Sequence, residues 1–104
     1  MKTIKLFNDY GAYPIWIFNE DGELIDNDLP NEIKDFEEAK FLRDQITNEY
    51  MKLFVNNEIE FKYIGFKSKN DKENFIALTN KFENYLKKQV ESKYIIINEL
   101  NSNL

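Results

Sequence analysis

The spacing of apolar residues changes near Asp28, and this change limits the fold more than any other feature. In residues 1–26 side chains alternate between two faces, as in TIKLF (3–7) and PIWIF (14–18), which is the two-residue period of β-strands. After Asp28 the apolar residues recur every three or four positions, which is the period of an amphipathic helix. The sequence therefore predicts strands before Asp28 and a helix directly after it.

Three short antiparallel strands are predicted in the first 26 residues, with Asp21-Gly22 turning the second into the third. One long helix is predicted from about Pro30 to about Val55, with a break near Asp35 as an alternative. A second helix is predicted from the spacing of a later apolar series: Phe75, Leu78, Phe82 and Tyr85. Either Ser68 with Asp71 or Asn70 with Glu73 can form a capping box at its start.

Two further strands complete the prediction. EFKYIGFK (60–67) lies between the helices, and KYIIINEL (93–100) follows the second one. The latter is a continuous apolar run, so we expect it inside the sheet and buried on both faces. The strand at 60–67, the second helix and the strand at 93–98 would then form a right-handed parallel crossover.

The predicted fold is α+β, with the order β-β-β-α-β-α-β, a mixed β-sheet and two long helices packed on one face. With 104 residues the chain is expected to form a single domain over 1–104, with a flexible tail at 99–104. The expected core includes one turn of each helix: Leu42, Ile46, Leu78 and Phe82.

Several function classes are excluded by composition. The chain has no His and no Cys, which excludes Cys/His zinc sites, disulfides and His-based acid–base or triad chemistry. Arg43 is its one arginine, so bidentate phosphate clamps are not available in number. We expect no cofactor and no bound metal. The net charge of −5 and the scattered lysines argue against direct binding of nucleic acid.

A soluble, cytoplasmic protein is expected. No run of 18 apolar residues is present, so we expect no membrane-spanning segment. The first residues, MKTIKLFNDYG, alternate and carry charge, unlike the apolar region of a signal peptide.

The segment NEDGELIDNDLPNEIKDFEE (19–38) holds nine carboxylates and one lysine, a net charge of −8. Calcium binding is one interpretation, but no register of an EF-hand loop fits: starting at Asp21 places Ile25 and Asp26 at the fifth and sixth positions. Paired carboxylate catalysis by Asp26 and Asp28 is another, but one short loop does not build a sugar cleft. The simplest interpretation is a solvated turn and helix start, since the helix dipole favours acids there.

A docking face for a basic partner is the remaining interpretation, because charge of one sign selects complementary surfaces and speeds association. Large aromatic residues, of the type enriched at binding hot spots, lie next to the same segment. Either a second layer, a dimer partner or a binding partner has to cover one face of this hairpin. The candidate partner-binding residues are Tyr13, Trp16, Glu20, Asp21, Glu23, Asp26 and Asp28.

The phrases DYGAYPIWIFNEDGELIDNDLPNEI (9–33) and YMKLFVNNEIEFKYIGF (50–66) resemble small cytosolic immunity proteins of bacterial polymorphic toxins, which are contact-dependent or secreted nucleases. The resemblance is carried by the aromatic-Gly-x-aromatic-Pro strand, the acidic IDNDLP turn and the EFKYIGF strand. It implies a non-catalytic protein that binds and neutralises a cognate toxin, and acidic charge would fit a toxin with a basic surface.

Three alternatives stay open at this point. The chain is also compatible with a phage-encoded inhibitor of a host nucleic-acid-binding defence protein, which needs the same acidic surface. A self-associating structural module would use the aromatic face instead. An enzyme would need carboxylates with Lys or Tyr, and no such constellation stands out. The oligomeric state is not specified by the sequence.

Overall fold

The structure, a computed structural model, describes residues 1–90 and 92–102. Within them the order of elements is β-β-β-α-β-β-α-β. Their bounds are β1 Lys2–Leu6, β2 Ile15–Phe18, β3 Leu24–Asp26, α1 Phe36–Met51, β4 Phe54–Asn56, β5 Phe61–Tyr63, α2 Lys69–Val90 and β6 Tyr94–Asn98. The predicted α+β class, with a mixed sheet and two long helices, is confirmed.

The larger sheet has the strand order β3-β2-β1-β6. Strand β1 is antiparallel to β2 and parallel to β6, and β2 is antiparallel to β3 with a bulge at Ile17/Phe18. The two-residue period of the sequence places four side chains of β1 and β2 on one buried face. These are Ile4, Leu6, Ile15 and Ile17.

Both helices cover this buried face with residues three or four positions apart. Helix α1 buries Ala39, Leu42, Ile46 and Tyr50, and α2 buries Phe75, Thr79, Phe82, Leu86 and Val90. Of the four predicted core residues, Leu42, Ile46 and Phe82 are fully buried, whereas Leu78 packs half-buried against the core. Of the two predicted capping boxes, the structure shows the first: Ser68 caps α2, since its Oγ accepts the Asp71 N–H at 3.1 Å.

Helix α1 is shorter than predicted at both ends. It begins at Phe36 because the Asp35 carboxylate accepts the Glu38 N–H and caps the first turn. Before it, Leu29 and Ile33 are buried from an irregular loop rather than from a helix. After it, residues 54–56 form β4, which pairs with β5 in a separate two-stranded sheet.

The predicted position of the last strand is wrong. Strand β6 lies at the edge of the sheet beside β1, and its Ile95 and Ile97 are 47% and 44% exposed on the face that the helices do not cover. The predicted crossover from 60–67 to 93–98 is also wrong, because β5 pairs with β4 and leaves β1 as the parallel neighbour of β6. The apolar run of residues 94–97 does not by itself show that the helices cover only one face of the sheet.

Part of the expected flexible tail is packed into the domain. The side chain of Leu100 is fully buried, and its carbonyl accepts a hydrogen bond from the Asn8 side chain at 2.5 Å. The last two residues of that tail, 103–104, lie outside the described residues. In the part of the chain that is described, no helix is long and apolar enough to cross a membrane.

Candidate functional site

The acidic turn, residues 19–23, connects β2 to β3 and has a well-defined backbone. Asn19 Oδ1 accepts the N–H groups of Asp21 and Glu23 at 3.0 and 2.9 Å, and the Asn19 N–H donates to the Glu23 carbonyl at 2.9 Å. Gly22 takes a left-handed φ of 82°, which favours glycine. The side chains of Glu20, Asp21 and Glu23 are therefore presented outward from an ordered turn.

The acids of this turn are not neutralised within the domain. Among the described residues, no Lys or Arg forms an ion pair with Glu20, Asp21, Glu23 or Asp26. All four are exposed. Only solvent screens the repulsion among these four carboxylates. A basic partner would therefore form favourable charge interactions with them without having to break an ion pair within the domain.

An apolar strip begins where the acidic turn ends. Phe18 and Leu24 are cross-strand partners that flank the turn, and Leu24 is 51% exposed. Trp16 lies two residues before Phe18, hence on the same uncovered face of the sheet. Its indole Nε1 donates to the Phe7 carbonyl at 3.0 Å, which fixes the ring. Trp16, Phe18 and Leu24, called the apolar strip below, thus adjoin three uncompensated carboxylates.

Tyr13 and Asp28, two of the predicted binding residues, instead meet at Arg43 of α1. The guanidinium carbon lies 4.1 Å from the centre of the Tyr13 ring, and Nη1 is 2.7 Å from Asp28 Oδ1. Nε also pairs with Asp44 at 2.9 Å. Burial alone would lower the pKa of Arg43, but the hydrogen bonds to Asp44 and Asp28 outweigh it and raise that pKa. This arrangement stabilises the loop against the helix.

The predicted binding residues therefore fall into two groups. One comprises those of the acidic turn with the nearby strip and strand end: Trp16, Glu20, Asp21, Glu23 and Asp26. The other comprises Tyr13 and Asp28, which contact Arg43. Asp26 lies on the edge strand β3 opposite Ile17, and its carboxylate accepts the Asn27 N–H at 2.8 Å.

A second apolar surface was missed by the sequence interpretation. On the β4–β5 hairpin, the Phe54 ring stacks on Phe61 with centroids 5.5 Å apart, and Tyr10 packs edge-on against both. Phe61 and Tyr63 are 55% and 46% exposed. The segments FVN (54–56) and FKY (61–63) carry the alternation of a hairpin, but the helical spacing that predicts the preceding helix extends through residues 54–55. This surface lacks the concentrated charge of the acidic turn.

Within residues 1–90 and 92–102, no three acidic side chains lie close enough together to hold a metal ion. The arrangement is thus one of exposed charge beside exposed apolar surface, which is suited to binding another macromolecule. No protein-family model and no curated protein matches this chain. A function therefore has to be inferred from the geometry of these surfaces.

Proposed function

We propose that this chain is a non-catalytic, cytoplasmic binding protein that neutralises a cognate bacterial toxin by docking onto a basic surface of it. The observation that carries the proposal is the acidic turn itself, an ordered loop with three exposed carboxylates that no cation of the described residues pairs. The toxin we propose is a nuclease, because a nuclease needs a basic cleft to hold nucleic acid.

The acidic turn and the apolar strip would have different roles in docking. Exposed charges act over about 8–10 Å at physiological ionic strength, so the turn governs the rate of encounter. Trp16, Phe18 and Leu24 supply the apolar contact that slows dissociation, since aromatic anchors carry much of the binding free energy. Seating this end of the sheet in the basic cleft would block access of the nucleic acid.

The resemblance to immunity proteins of polymorphic toxins supports the choice of a toxin as partner. The motif phrases of that resemblance include the acidic turn and the apolar strip, both within residues 9–33. Such a protein has to act in the cytoplasm of the cell that it protects.

The test first requires a candidate toxin, sought as a nuclease domain encoded by the gene immediately upstream. That domain is produced separately and mixed with the purified chain. The variant Glu20→Gln/Asp21→Asn/Glu23→Gln should lower the association rate constant by about tenfold at low salt and much less at high salt. Trp16→Ala should leave association unchanged and accelerate dissociation roughly tenfold or more. Stopped-flow kinetics at two salt concentrations measure both effects.

A matched control removes three exposed acids elsewhere, at Glu37, Glu58 and Glu73. The Glu37→Gln/Glu58→Gln/Glu73→Gln variant has the same net charge as the acidic-turn variant and should bind as the parent does. Equal slowing by both variants would show that only net charge matters, and unchanged binding by the acidic-turn variant would refute the docking site.

The isolated chain should leave RNA, DNA, nucleotides and simple glycosides intact. Turnover of any of these substrates that is lost in Asp26→Asn would refute a non-catalytic role.

A further inference from the structure

Strand β6 has one edge that faces no other strand of the described residues. The Glu99 N–H donates to the Leu6 carbonyl of β1 at 2.7 Å. In a parallel ladder alternate residues of a strand bond to the same neighbour, so Ile95 and Ile97 also direct their backbone groups to β1. The backbone N–H and C=O groups that face the open edge therefore belong to Tyr94, Ile96 and Asn98.

This edge lacks the features by which proteins usually block edge pairing. Residues 94–98 contain no proline and no charged side chain, and the pairing with β1 runs in register through all five residues. Ile95 and Ile97 are nearly half exposed on the face away from the helices. Such a strand is a template for a further strand.

We propose that the strand added here is β6 of a second copy of this chain, antiparallel and related by a two-fold axis through Ile96. In that register Ile96 faces the partner's Ile96, and Tyr94 faces the partner's Asn98. Each of these residues has its free backbone groups on the open edge, so every facing pair can exchange two hydrogen bonds. The two four-stranded sheets become one continuous sheet.

The side chains select the same register. On the uncovered face, Ile95 lies opposite the partner's Ile97, and the two-fold axis repeats this contact. One step further out, Lys93 lies opposite the partner's Glu99, so the ends of the strand carry complementary charge. Glu99 is already held on this face by Lys5, whose Nζ is 3.3 Å from its carboxylate.

Neighbouring registers lose these matches. A shift of two residues in one direction places Ile97 against the partner's Lys93, and the opposite shift places Ile95 against the partner's Glu99. A shift of one residue places backbone groups that face the open edge opposite backbone groups of the partner that already bond to its own β1, so the hydrogen bonds cannot form. In one register the edge of β6 is complementary to itself in both backbone groups and side chains. This is what an isologous, two-fold interface requires, so the edge favours a second copy of this chain over an unrelated strand.

The dimer would not use the proposed docking site. Strand β6 is at one edge of the sheet and β3, which follows the acidic turn, is at the other. Both acidic turns of a dimer therefore stay accessible, and the dimer can be tested without any toxin.

The first test is the weight-average mass by light scattering or sedimentation equilibrium from about 1 µM to about 1 mM. The mass should rise from one copy to two. Ile95→Lys/Ile97→Lys should weaken self-association by at least about tenfold, because it sets lysines against each other across the axis. The matched control Phe41→Lys/Ile59→Lys changes two exposed apolar residues, 55% and 93% exposed, elsewhere and should dimerise as the parent does. Circular dichroism confirms that the variants are folded.

The second test determines the register with thiols, since the chain has no cysteine of its own. Facing residues that do not exchange hydrogen bonds have Cα atoms about 4.5 Å apart, within the range of a disulfide, whereas diagonal ones are about 7–8 Å apart. A mixture of Ile95→Cys and Ile97→Cys chains should cross-link several-fold faster than either alone. A monomer at every concentration, a dimer unaffected by the lysine pair, or equal cross-linking by the single variants would each overturn the proposal.

Discussion

Asp26 and Asp28 belong to the same acidic segment but should respond very differently to loss of charge. Asp26 is exposed and forms no ion pair with any described residue, whereas Asp28 pairs with Arg43. We expect Asp28→Asn to destabilise the fold and Asp26→Asn to leave it nearly unchanged. Asparagine retains an Oδ1, which keeps the acceptor for the Leu29 N–H that Asp28 now bonds at 2.7 Å, so the substitution isolates the charge.

The magnitude follows from the surroundings of the ion pair. The Asp28–Arg43 contact is 2.7 Å long, with side chains 42% and 11% exposed. A hydrogen bond between charged groups contributes about 1.5–3 kcal/mol when shielded, but solvent screening of Asp28 lowers this value and Asp44 still pairs the arginine. We expect a loss of about 1–2 kcal/mol for Asp28→Asn and under about 0.5 kcal/mol for Asp26→Asn.

Urea unfolding followed by Trp16 fluorescence measures the difference, because this is the one tryptophan of the chain. A double-mutant cycle with Arg43→Gln separates the pair from other effects of each substitution, and its coupling energy should be at least about 0.5 kcal/mol. If Asp28→Asn costs no more than Asp26→Asn, or the coupling is zero, the Arg43 cluster does not hold the loop to α1.

Two further predictions concern stability. In urea unfolding, Phe82→Ala should lower the free energy of unfolding by about 3–5 kcal/mol and Leu42→Ala by about 2–5 kcal/mol, because both side chains are fully buried. Leu78 is half-buried, so Leu78→Ala should lower it less. Losses below about 1 kcal/mol at both Phe82 and Leu42 would show that the helix faces are misassigned. Burial and a hydrogen bond to Glu32 raise the pKa of Tyr94 to about 12. The neutral hydroxyl therefore contributes its full stabilisation below about pH 10, the ordinary pKa of tyrosine in the unfolded chain. This stabilisation is lost as the pH rises through about 12. Tyr94→Phe should therefore be less stable at pH 8 and lose less stability from about pH 10 to 12; equal losses in both proteins would refute this linkage.

Local patterns were sufficient where one element's own residues determine its structure. The alternation in β1 and β2 placed Ile15 and Ile17 on one face and Trp16 and Phe18 on the other, because a half-covered sheet leaves the two-residue period unchanged. Which of these two faces is buried is decided by the helices, which cover Ile15 and Ile17. The spacing around Leu42 and Phe82 identified the helix faces. Ser68 and Asn70, the two candidate caps, placed the start of α2 to within two residues, since an N-cap bonds to an amide three residues away.

Local patterns failed where a distant element decides the outcome. The run Tyr94–Ile97 has the composition of a strand buried on both faces, and only the absence of a covering layer places Ile95 and Ile97 in solvent. Residues 54–55 continue the helical spacing of α1, yet they pair with residues 62–63, and this pairing replaces the last helical turn. Neither result is encoded in a short window of sequence.

The charge of residues 19–38 is a similar case, because acids that are alike in sequence have different partners in the fold. Asp35 caps α1, and Glu37 and Glu38 lie in its first turn, where the helix dipole favours them. Glu32 accepts the Tyr94 hydroxyl at 2.8 Å, and Asp28 holds Arg43. Structural roles thus account for more than half of the carboxylates. Those that remain lie on the acidic turn and at the end of β3: Glu20, Asp21, Glu23 and Asp26. Because these four have no ion pair with any described residue, a basic partner can gain from them without breaking a contact that stabilises the domain.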